Sequence, residues 1–154
     1  MDILIDEQSI SLAVDRIAGE IVAHYRKRPI LMLGITVGSI VFIADLIRRL
    51  DMPIELELIR AKSYRRGQTN PGELEIDLLG LRHEQIEGRE VLVVDDIFDT
   101  GRTLEAGVEY LKKHRAADIR TAVFLRKADR CEVDMQPDFV AADIPDRFVV
   151  GYGL

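Results

Sequence analysis

The sequence is short of cysteine, of basic charge and of long hydrophobic runs, and each shortage excludes a class of protein. Its one cysteine, Cys131, cannot form an internal disulfide bond, which fits a reducing compartment. A net charge of −6 argues against a protein that binds nucleic acid through a broad basic surface. No apolar stretch approaches the roughly 20 residues needed to span a bilayer. We therefore expect a cytoplasmic protein with neither a membrane nor a nucleic acid as partner.

Two common nucleotide-binding motifs are also absent. Neither Gly-x-x-x-x-Gly-Lys-Ser/Thr nor Gly-x-Gly-x-x-Gly occurs in the sequence. No pair of histidines or cysteines has the spacing of metal ligands. With 154 residues, the chain has the length of one domain with one sizeable core. We expect that single domain to span residues 1–154.

Strand patterns alternate with helix patterns along the chain. Buried strands are predicted at Pro29–Leu33, at Val91–Val94 and at Ile119–Leu125. Segments 54–60 and 74–78 alternate apolar and polar residues, which predicts a hairpin with a long polar loop at its tip. Helical spacing is shown by two apolar sets, Ile10, Val14, Ile17, Ile21 and Tyr25, and then Ile40, Ile43, Ala44, Ile47 and Leu50. This order predicts an α/β fold, an open and mostly parallel sheet with helices on both faces.

The segment Val91–Leu104 reads as a buried strand, a polar turn and the start of a helix. Unpaired N–H groups at a helix N-terminus favour an anion. The hydroxyls of Thr100 and Thr103 add donors, Gly101 lets the backbone approach closely, and Arg102 adds positive charge. This turn is predicted to bind a phosphate group.

Two adjacent carboxylates, Asp95 and Asp96, stand where the strand is predicted to end. Carboxylates beside a phosphate site repel the ligand unless they hold a divalent cation or accept hydrogen bonds from sugar hydroxyls. A ligand with a ribose, a phosphate group and Mg²⁺ would use every group of this segment. We therefore predict a phosphate-sugar site in which Asp95 and Asp96 hold Mg²⁺ or accept hydrogen bonds from the sugar hydroxyls.

The segment Val91–Leu104 resembles the phosphoribosyl-pyrophosphate signature of type I phosphoribosyltransferases. The aspartate at position 99 is similar to that of the hypoxanthine/guanine branch of this family, because the related orotate and adenine enzymes generally carry other residues where Asp99 stands. The resemblance implies transfer of a 5-phosphoribosyl group from phosphoribosyl pyrophosphate to N9 of hypoxanthine or guanine, giving IMP or GMP and diphosphate. It implies that Asp99 is a general acid/base toward purine N7 and that Asp95 and Asp96 orient the ribose hydroxyls. It also implies a small hood and a homodimer or homotetramer.

Other segments resemble further parts of the same family. Thr36-Val37-Gly38 stands at its pyrophosphate loop, which typically reads Leu-Lys-Gly, so the usual lysine is absent here. Ser63-Tyr64 resembles the Ser-Tyr pair of a flexible loop that closes over the diphosphate and excludes water. Lys127 resembles the lysine that binds the purine 6-oxo group. Phe148 resembles the aromatic residue that stacks on the purine, and the backbone at Val149 would read the edge of the base.

The family usually continues past the position of Leu154 with an acidic residue, an arginine and a final strand. Either this chain is shortened or the protein lacks them. Two further functions stay open: a nucleotide-sensing regulator, such as the pyrimidine-operon attenuators that bind RNA, and an inactive binding module. The attenuators resemble this chain in the sequence Thr-Gly-Arg-Thr. The inactive module is suggested by Val37 in place of the usual lysine and by the absent tail. Asp99, the purine-type ending and the lack of a basic face favour the enzyme.

Overall fold

The computed structural model of the protein describes residues 3–63 and 73–154. These residues form three α-helices, α1 (Glu7–Tyr25), α2 (Ser39–Ile47) and α3 (Arg102–Lys113). They also form six strands, β1 (Ile30–Ile35), β2 (Ile54–Ser63), β3 (Leu74–Asp77), β4 (Glu90–Phe98), β5 (Asp118–Arg126) and β6 (Phe139–Asp143). Of the described helices, not one combines the length and the hydropathy needed to cross a membrane.

The strands form one sheet in the order β3-β2-β1-β4-β5-β6. The hairpin of β2 and β3 is antiparallel, and the other neighbouring strands are parallel. The predicted mostly parallel sheet is therefore confirmed. The chain order reverses between β1 and β4, and the carboxyl ends of the parallel strands meet at one edge. In open α/β sheets, ligands bind in the crevice at such a reversal.

The sheet has helices on both faces, as predicted. Helices α1 and α2 share one core with Met32 and Leu92 of the central strands. Helix α3 shares the second core with Leu33 and Val93. Because β1 and β4 are buried on both faces, their sequences are continuous apolar runs rather than alternating patterns.

Strand β4 is longer than its apolar run predicts, and this changes the setting of the two adjacent carboxylates. Its pairing with β1 ends at Val94, but its pairing with β5 continues to Phe98. Asp95 and Asp96 therefore lie on a strand extension held from one side, and not in a loop. The free side of this extension faces the crevice beside β1.

Helix α2 buries only part of the predicted set: Ile43 and Leu50 are 3% and 7% exposed, whereas Ala44 lies at the surface. Phe42 and Leu46 lie in the core, whereas Ile40 is 44% exposed. Leu50 lies beyond the end of the helix at Ile47. The row of Ile40 and Ile47 lines an apolar groove against Leu56 of β2 instead. The prediction was wrong for Ile40 and Ala44 because α2 is apolar on almost every side, so that spacing alone does not select the buried face.

Candidate active site

Most of the predicted site residues lie at the carboxyl edge of the sheet, on the connections that follow β1, β4 and β5. The connection after β1 contains segment 36–38, and the one after β4 contains the turn 99–101 before α3. Lys127 directly follows β5. Parallel pairing of these three strands brings the ends of their connections to one crevice.

Asp95 is a buried carboxylate beside a second carboxylate. It is 7% exposed, and its Oδ1 accepts a hydrogen bond from the backbone N–H of Asp96 at 2.9 Å. Burial and the charge of Asp96 raise the pKa of Asp95 well above its usual range. A divalent cation next to the pair would offset both effects. Among the described residues, no three acidic, histidine or cysteine side chains form a metal-binding group, so such a cation would need further oxygens from a ligand.

Gly38 lies directly against the carboxylate of Asp96. A Cβ atom on Gly38 would lie 1.8 Å from Oδ2 of Asp96. The φ angle of Gly38 is −58°, so the backbone does not require glycine at this position. Position 38 therefore requires glycine because a side chain would clash with Asp96, and not because of its backbone conformation. This contact joins the connection after β1 to the acidic strand extension.

Thr36 and Val37 stand where the family's pyrophosphate loop is expected. The backbone N–H of Thr36 donates to the carbonyl of Ile59 at 2.9 Å, which fixes the loop to β2. The hydroxyl oxygen of Thr36 is buried without a hydrogen-bond partner among the described residues. Val37 is 74% exposed and follows a cis peptide bond. The loop thus has an exposed valine where the family has a lysine, and the unpaired hydroxyl of Thr36 beside it is buried.

The turn before α3 leaves backbone donors unpaired, as a phosphate site requires. Within the described part of the chain, the N–H groups of Asp99, Thr100, Gly101 and Thr103 have no protein acceptor. The N–H of Arg102 has only the hydroxyl of Thr100, at 3.5 Å. These donors lie at the positive end of the α3 dipole. An anion with several oxygens matches this set of donors.

Gly101 is required by its conformation and by its neighbours. Its φ angle is +87°, which side chains rarely adopt. A Cβ atom there would lie 2.5 Å from Cγ2 of Val133 and 2.7 Å from the ring of Phe98. The turn is therefore packed from behind, which holds its N–H groups toward the crevice.

The guanidinium of Arg102 lies beside an acidic residue that follows β5 in the chain. It forms an ion pair with Glu132 at 2.6 Å and is mostly exposed. The charge of Arg102 is thus shared with the connection after β5. Backbone donors and the hydroxyls of Thr100 and Thr103, both half-buried, dominate the turn itself.

Lys127 and Asp99 are linked through two other charged residues. The ammonium of Lys127 is buried and lies 3.6 Å from Oδ1 of Asp146. Nη1 of Arg130 lies 3.5 Å from the same oxygen. Nε of Arg130 lies 3.0 Å from Oδ1 of Asp99, without the alignment of a hydrogen bond. A chain of alternating charges therefore connects Lys127 with Asp99.

The remaining predicted residues lie at the rim or outside the described residues. Phe148 is 92% exposed, so its ring is free on the surface to stack on a planar ligand. Val149 is half-buried and packs against the core under α1 and α2. Ser63 ends β2, where it pairs with Leu74. Tyr64 and most of the predicted flexible loop lie outside the described residues.

The sequence pattern does not single out Arg130, Glu132 or Asp146, although all three carry charges close to the predicted residues. One signal exists for Arg130, because it follows a strand-end lysine after only three residues. Asp146 gives no such signal, since 19 positions separate it from Lys127 and only the fold brings the two together.

Comparisons with known proteins agree with this geometry. The family described as phosphoribosyl transferase domain matches residues 2–154. The hypoxanthine-guanine phosphoribosyltransferase of Aquifex aeolicus is 39% identical, over 100% of this chain and 86% of the relative. The enzyme of the same name from Bacillus subtilis is 34% identical, over 99% of this chain and 83% of the relative.

Solved structures give the same result. A hypoxanthine-guanine phosphoribosyltransferase of Bacillus anthracis superposes with a TM-score of 0.86 at 32% identity, covering 99% of this chain and 87% of the other. A hypoxanthine phosphoribosyl transferase of Trypanosoma cruzi gives a TM-score of 0.88 at 36% identity, covering 99% and 83%. The fold of this chain thus matches that of solved enzymes with these names.

Proposed function

The chain belongs to the hypoxanthine-guanine branch of the phosphoribosyltransferase family, and from this premise we propose how it acts and on what. It transfers the 5-phosphoribosyl group of phosphoribosyl pyrophosphate to N9 of hypoxanthine or guanine. The products are IMP or GMP and diphosphate, as in purine salvage. The observation that carries this proposal is the turn of unpaired N–H groups beside Asp95 and Asp96, in the crevice where the strand order reverses.

The turn binds the 5′-phosphate and the acidic pair holds the ribose. Backbone N–H groups of Thr100, Gly101 and Thr103 surround the phosphate oxygens, and the two threonine hydroxyls add donors. Asp95 and Asp96 accept hydrogen bonds from the ribose hydroxyls. Holding the donor at both ends places its anomeric carbon opposite the base. The reaction between donor and base then proceeds effectively as a unimolecular step.

The base is held by three side chains with different tasks. The ring of Phe148 stacks on the purine, and the ammonium of Lys127 donates to the 6-oxo group. The backbone at Val149 contacts the purine edge. Asp99 exchanges a proton with N7, which balances the charge that develops on the purine when N9 forms its bond to the ribose.

Asp95 and Asp96 would hold Mg²⁺, because paired carboxylates together with substrate oxygens are the usual setting of this ion. The raised pKa of Asp95 supports this assignment, since burial and the charge of the half-buried Asp96 raise it and no cation of the described residues lowers it. Bound Mg²⁺ supplies neutralisation of the negative charge that forms on the departing diphosphate.

The diphosphate end is held without the family's lysine. The backbone N–H groups of Val37 and Gly38 supply donors there instead, because neither has an acceptor among the described residues, and Thr36 anchors the loop to β2. Ser63 and Tyr64, at the start of the long loop, close over the diphosphate and exclude water from the activated donor.

An activity panel tests the proposed function. Hypoxanthine, guanine, xanthine and adenine are each incubated with phosphoribosyl pyrophosphate and Mg²⁺, and nucleotide formation is measured. Nucleotide should form from hypoxanthine or guanine and not from adenine. No product from any base would overturn the proposal. An RNA shift released by a pyrimidine nucleotide would identify a regulator instead.

Replacing Phe148 with alanine is expected to raise KM for hypoxanthine by about 10-fold, because stacking of a base on an aromatic ring contributes about 1–3 kcal/mol. The thermal midpoint should not change, since the side chain is 92% exposed. Leu12, 62% exposed on α1, offers the control Leu12→Ala. An unchanged KM for hypoxanthine in Phe148→Ala would mean that the base binds elsewhere.

We also propose a homodimer or homotetramer in the cytoplasm, with one domain over residues 1–154. The apolar groove between α2 and β2 supports an assembly, because it leaves Ile40 and Leu56 44% and 40% exposed. The lone thiol of Cys131 is consistent with a reducing compartment. Sedimentation velocity measures the assembly, and a single monomeric species would contradict it.

A further inference from the structure

We propose that Arg130, together with Asp146, is a positioning residue that fixes the separation between Lys127 and Asp99. This inference rests on the proposed function, in which Lys127 binds the purine 6-oxo group and Asp99 serves N7. Arg130 touches neither the base nor the phosphoribosyl group in this role. It acts through the carboxylate of Asp99.

The contacts form a bridge from one functional group to the other. Lys127 and Arg130 both approach Oδ1 of Asp146, at 3.6 and 3.5 Å. Arg130 reaches Asp99 with its Nε, at 3.0 Å, while Nη1 faces Asp146. One planar guanidinium therefore spans two carboxylates with different nitrogen atoms. A lysine ammonium is a single point of charge and cannot reproduce this fork.

The chemistry of the substrate explains why such a bridge is useful. The 6-oxo oxygen and N7 of a 6-oxopurine lie next to each other on one edge of the base. Two protein groups that serve these atoms must keep a fixed separation while they face the same edge. Without Arg130, the two carboxylates of Asp99 and Asp146 would have no cation between them, and Asp99 would be free to turn away.

The segment that carries Arg130 is hydrogen-bonded on both sides of Arg130, to the end of β4 and to the turn before α3. The N–H of Lys127 donates to the carbonyl of Phe98 at 2.9 Å, and the N–H of Glu132 donates to the carbonyl of Thr100 at 2.9 Å. Arg130 lies between these two attachment points. Its guanidinium thus extends from a segment whose place relative to Asp99 is set on both sides.

Because the side chains of the ion pairs that Arg130 forms are exposed, an effect of Arg130 on the reaction can be distinguished from an effect on protein stability. The side chains of Arg130, Asp99 and Asp146 are 44%, 38% and 53% exposed. Ion pairs this exposed contribute little to folding. The loss of Arg130 should therefore change the kinetics of the reaction and leave the thermal midpoint where it is.

The test compares Arg130→Gln and Arg130→Lys with the unmodified chain. For Arg130→Gln, kcat with hypoxanthine should fall roughly 10- to 100-fold, the loss expected when a catalytic group moves by about 1 Å. KM for hypoxanthine should rise, KM for phosphoribosyl pyrophosphate should stay within about twofold, and the thermal midpoint should change by less than about 2 °C. Arg130→Lys should recover part of kcat.

A matched control is Arg115→Gln, because Arg115 forms an exposed ion pair with Glu87 at 2.8 Å beyond the C-terminal end of α3, opposite the end that carries the turn. Its kinetics should equal those of the unmodified chain. The decisive comparison adds Arg130→Gln to Asp99→Asn. If Arg130 acts through Asp99, the residual kcat of Asp99→Asn should not fall further.

Multiplicative losses in the double variant, or an unchanged kcat in Arg130→Gln, would overturn the positioning role. An unmodified chain without activity toward any 6-oxopurine would instead overturn the proposed function, so the two failures are distinguishable.

Discussion

Replacing Asp99 with asparagine is expected to lower kcat with hypoxanthine by about 10²- to 10⁴-fold, the usual contribution of a positioned general acid/base. Asparagine keeps the size of the side chain and one carbonyl oxygen, but it cannot exchange a proton with N7. KM for phosphoribosyl pyrophosphate should change little, because in the proposed site the donor is held by the turn and the acidic pair and not by Asp99. Steady-state kinetics with each substrate varied in turn measures both quantities.

The structure indicates that this loss would be catalytic and not a loss of folding. Asp99 is half-buried, and its one close charge partner is the exposed Arg130 among the residues that the structure describes. Asp129→Asn is the control, because Asp129 is an exposed acid on the same short turn as Arg130. If Asp99→Asn kept kcat within about twofold of the unmodified chain while Asp129→Asn did the same, the acid/base would be another group.

Much of the fold could be predicted because the local signals agree with the tertiary structure. The first helical apolar set, which begins at Ile10, matches α1, and the carboxylate of Asp6 accepts the N–H of Ser9 at 2.7 Å as its N-cap. The apolar runs at Leu31 and Val93 match the two strands that are buried on both faces. Alternation around Leu56 and Ile76 predicts the hairpin, which the pairing of β2 with β3 confirms.

The site could be predicted only where its residues are neighbours in sequence. The turn from Asp99 to Thr103 is one continuous segment, so its donors, hydroxyls and glycine can be read together. Arg130 and Asp146 become neighbours only through the sheet, because β5 and β6 bring the ends of their connections to one place. The partner of Arg102 follows the same rule, since Glu132 lies beyond β5.

Two errors have a common physical cause. The extension of β4 through Asp95 and Asp96 depends on pairing with β5, and the buried face of α2 depends on which side meets the sheet. Neither is encoded in the apolar spacing of the segment itself. In both places the tertiary partner selects among local structures that the sequence permits about equally well.

Replacing Gly38 with alanine is expected to raise KM for phosphoribosyl pyrophosphate by about 10- to 100-fold, because the new methyl group displaces Asp96, which holds the donor in the proposed site. The Cβ atom would lie 1.8 Å from Oδ2 of Asp96, so the carboxylate or the loop must move. The backbone itself accepts alanine at a φ of −58°. The free energy of unfolding should change by less than about 1.5 kcal/mol, since the half-buried Asp96 can turn toward the crevice.

Gly19→Ala is the matched control for this substitution. Gly19 lies within α1, and a Cβ atom there would meet nothing within 4 Å. Alanine at position 19 should leave both KM values unchanged and stabilise the helix slightly, by about 0.5–1 kcal/mol. Titration of Mg²⁺ at saturating hypoxanthine provides a second measurement, because a displaced Asp96 should raise the Mg²⁺ concentration that gives half-maximal rate. If Gly38→Ala kept the KM for phosphoribosyl pyrophosphate of the unmodified chain, contact between the two loops would not set the position of Asp96, and the donor would be held by the turn before α3 alone.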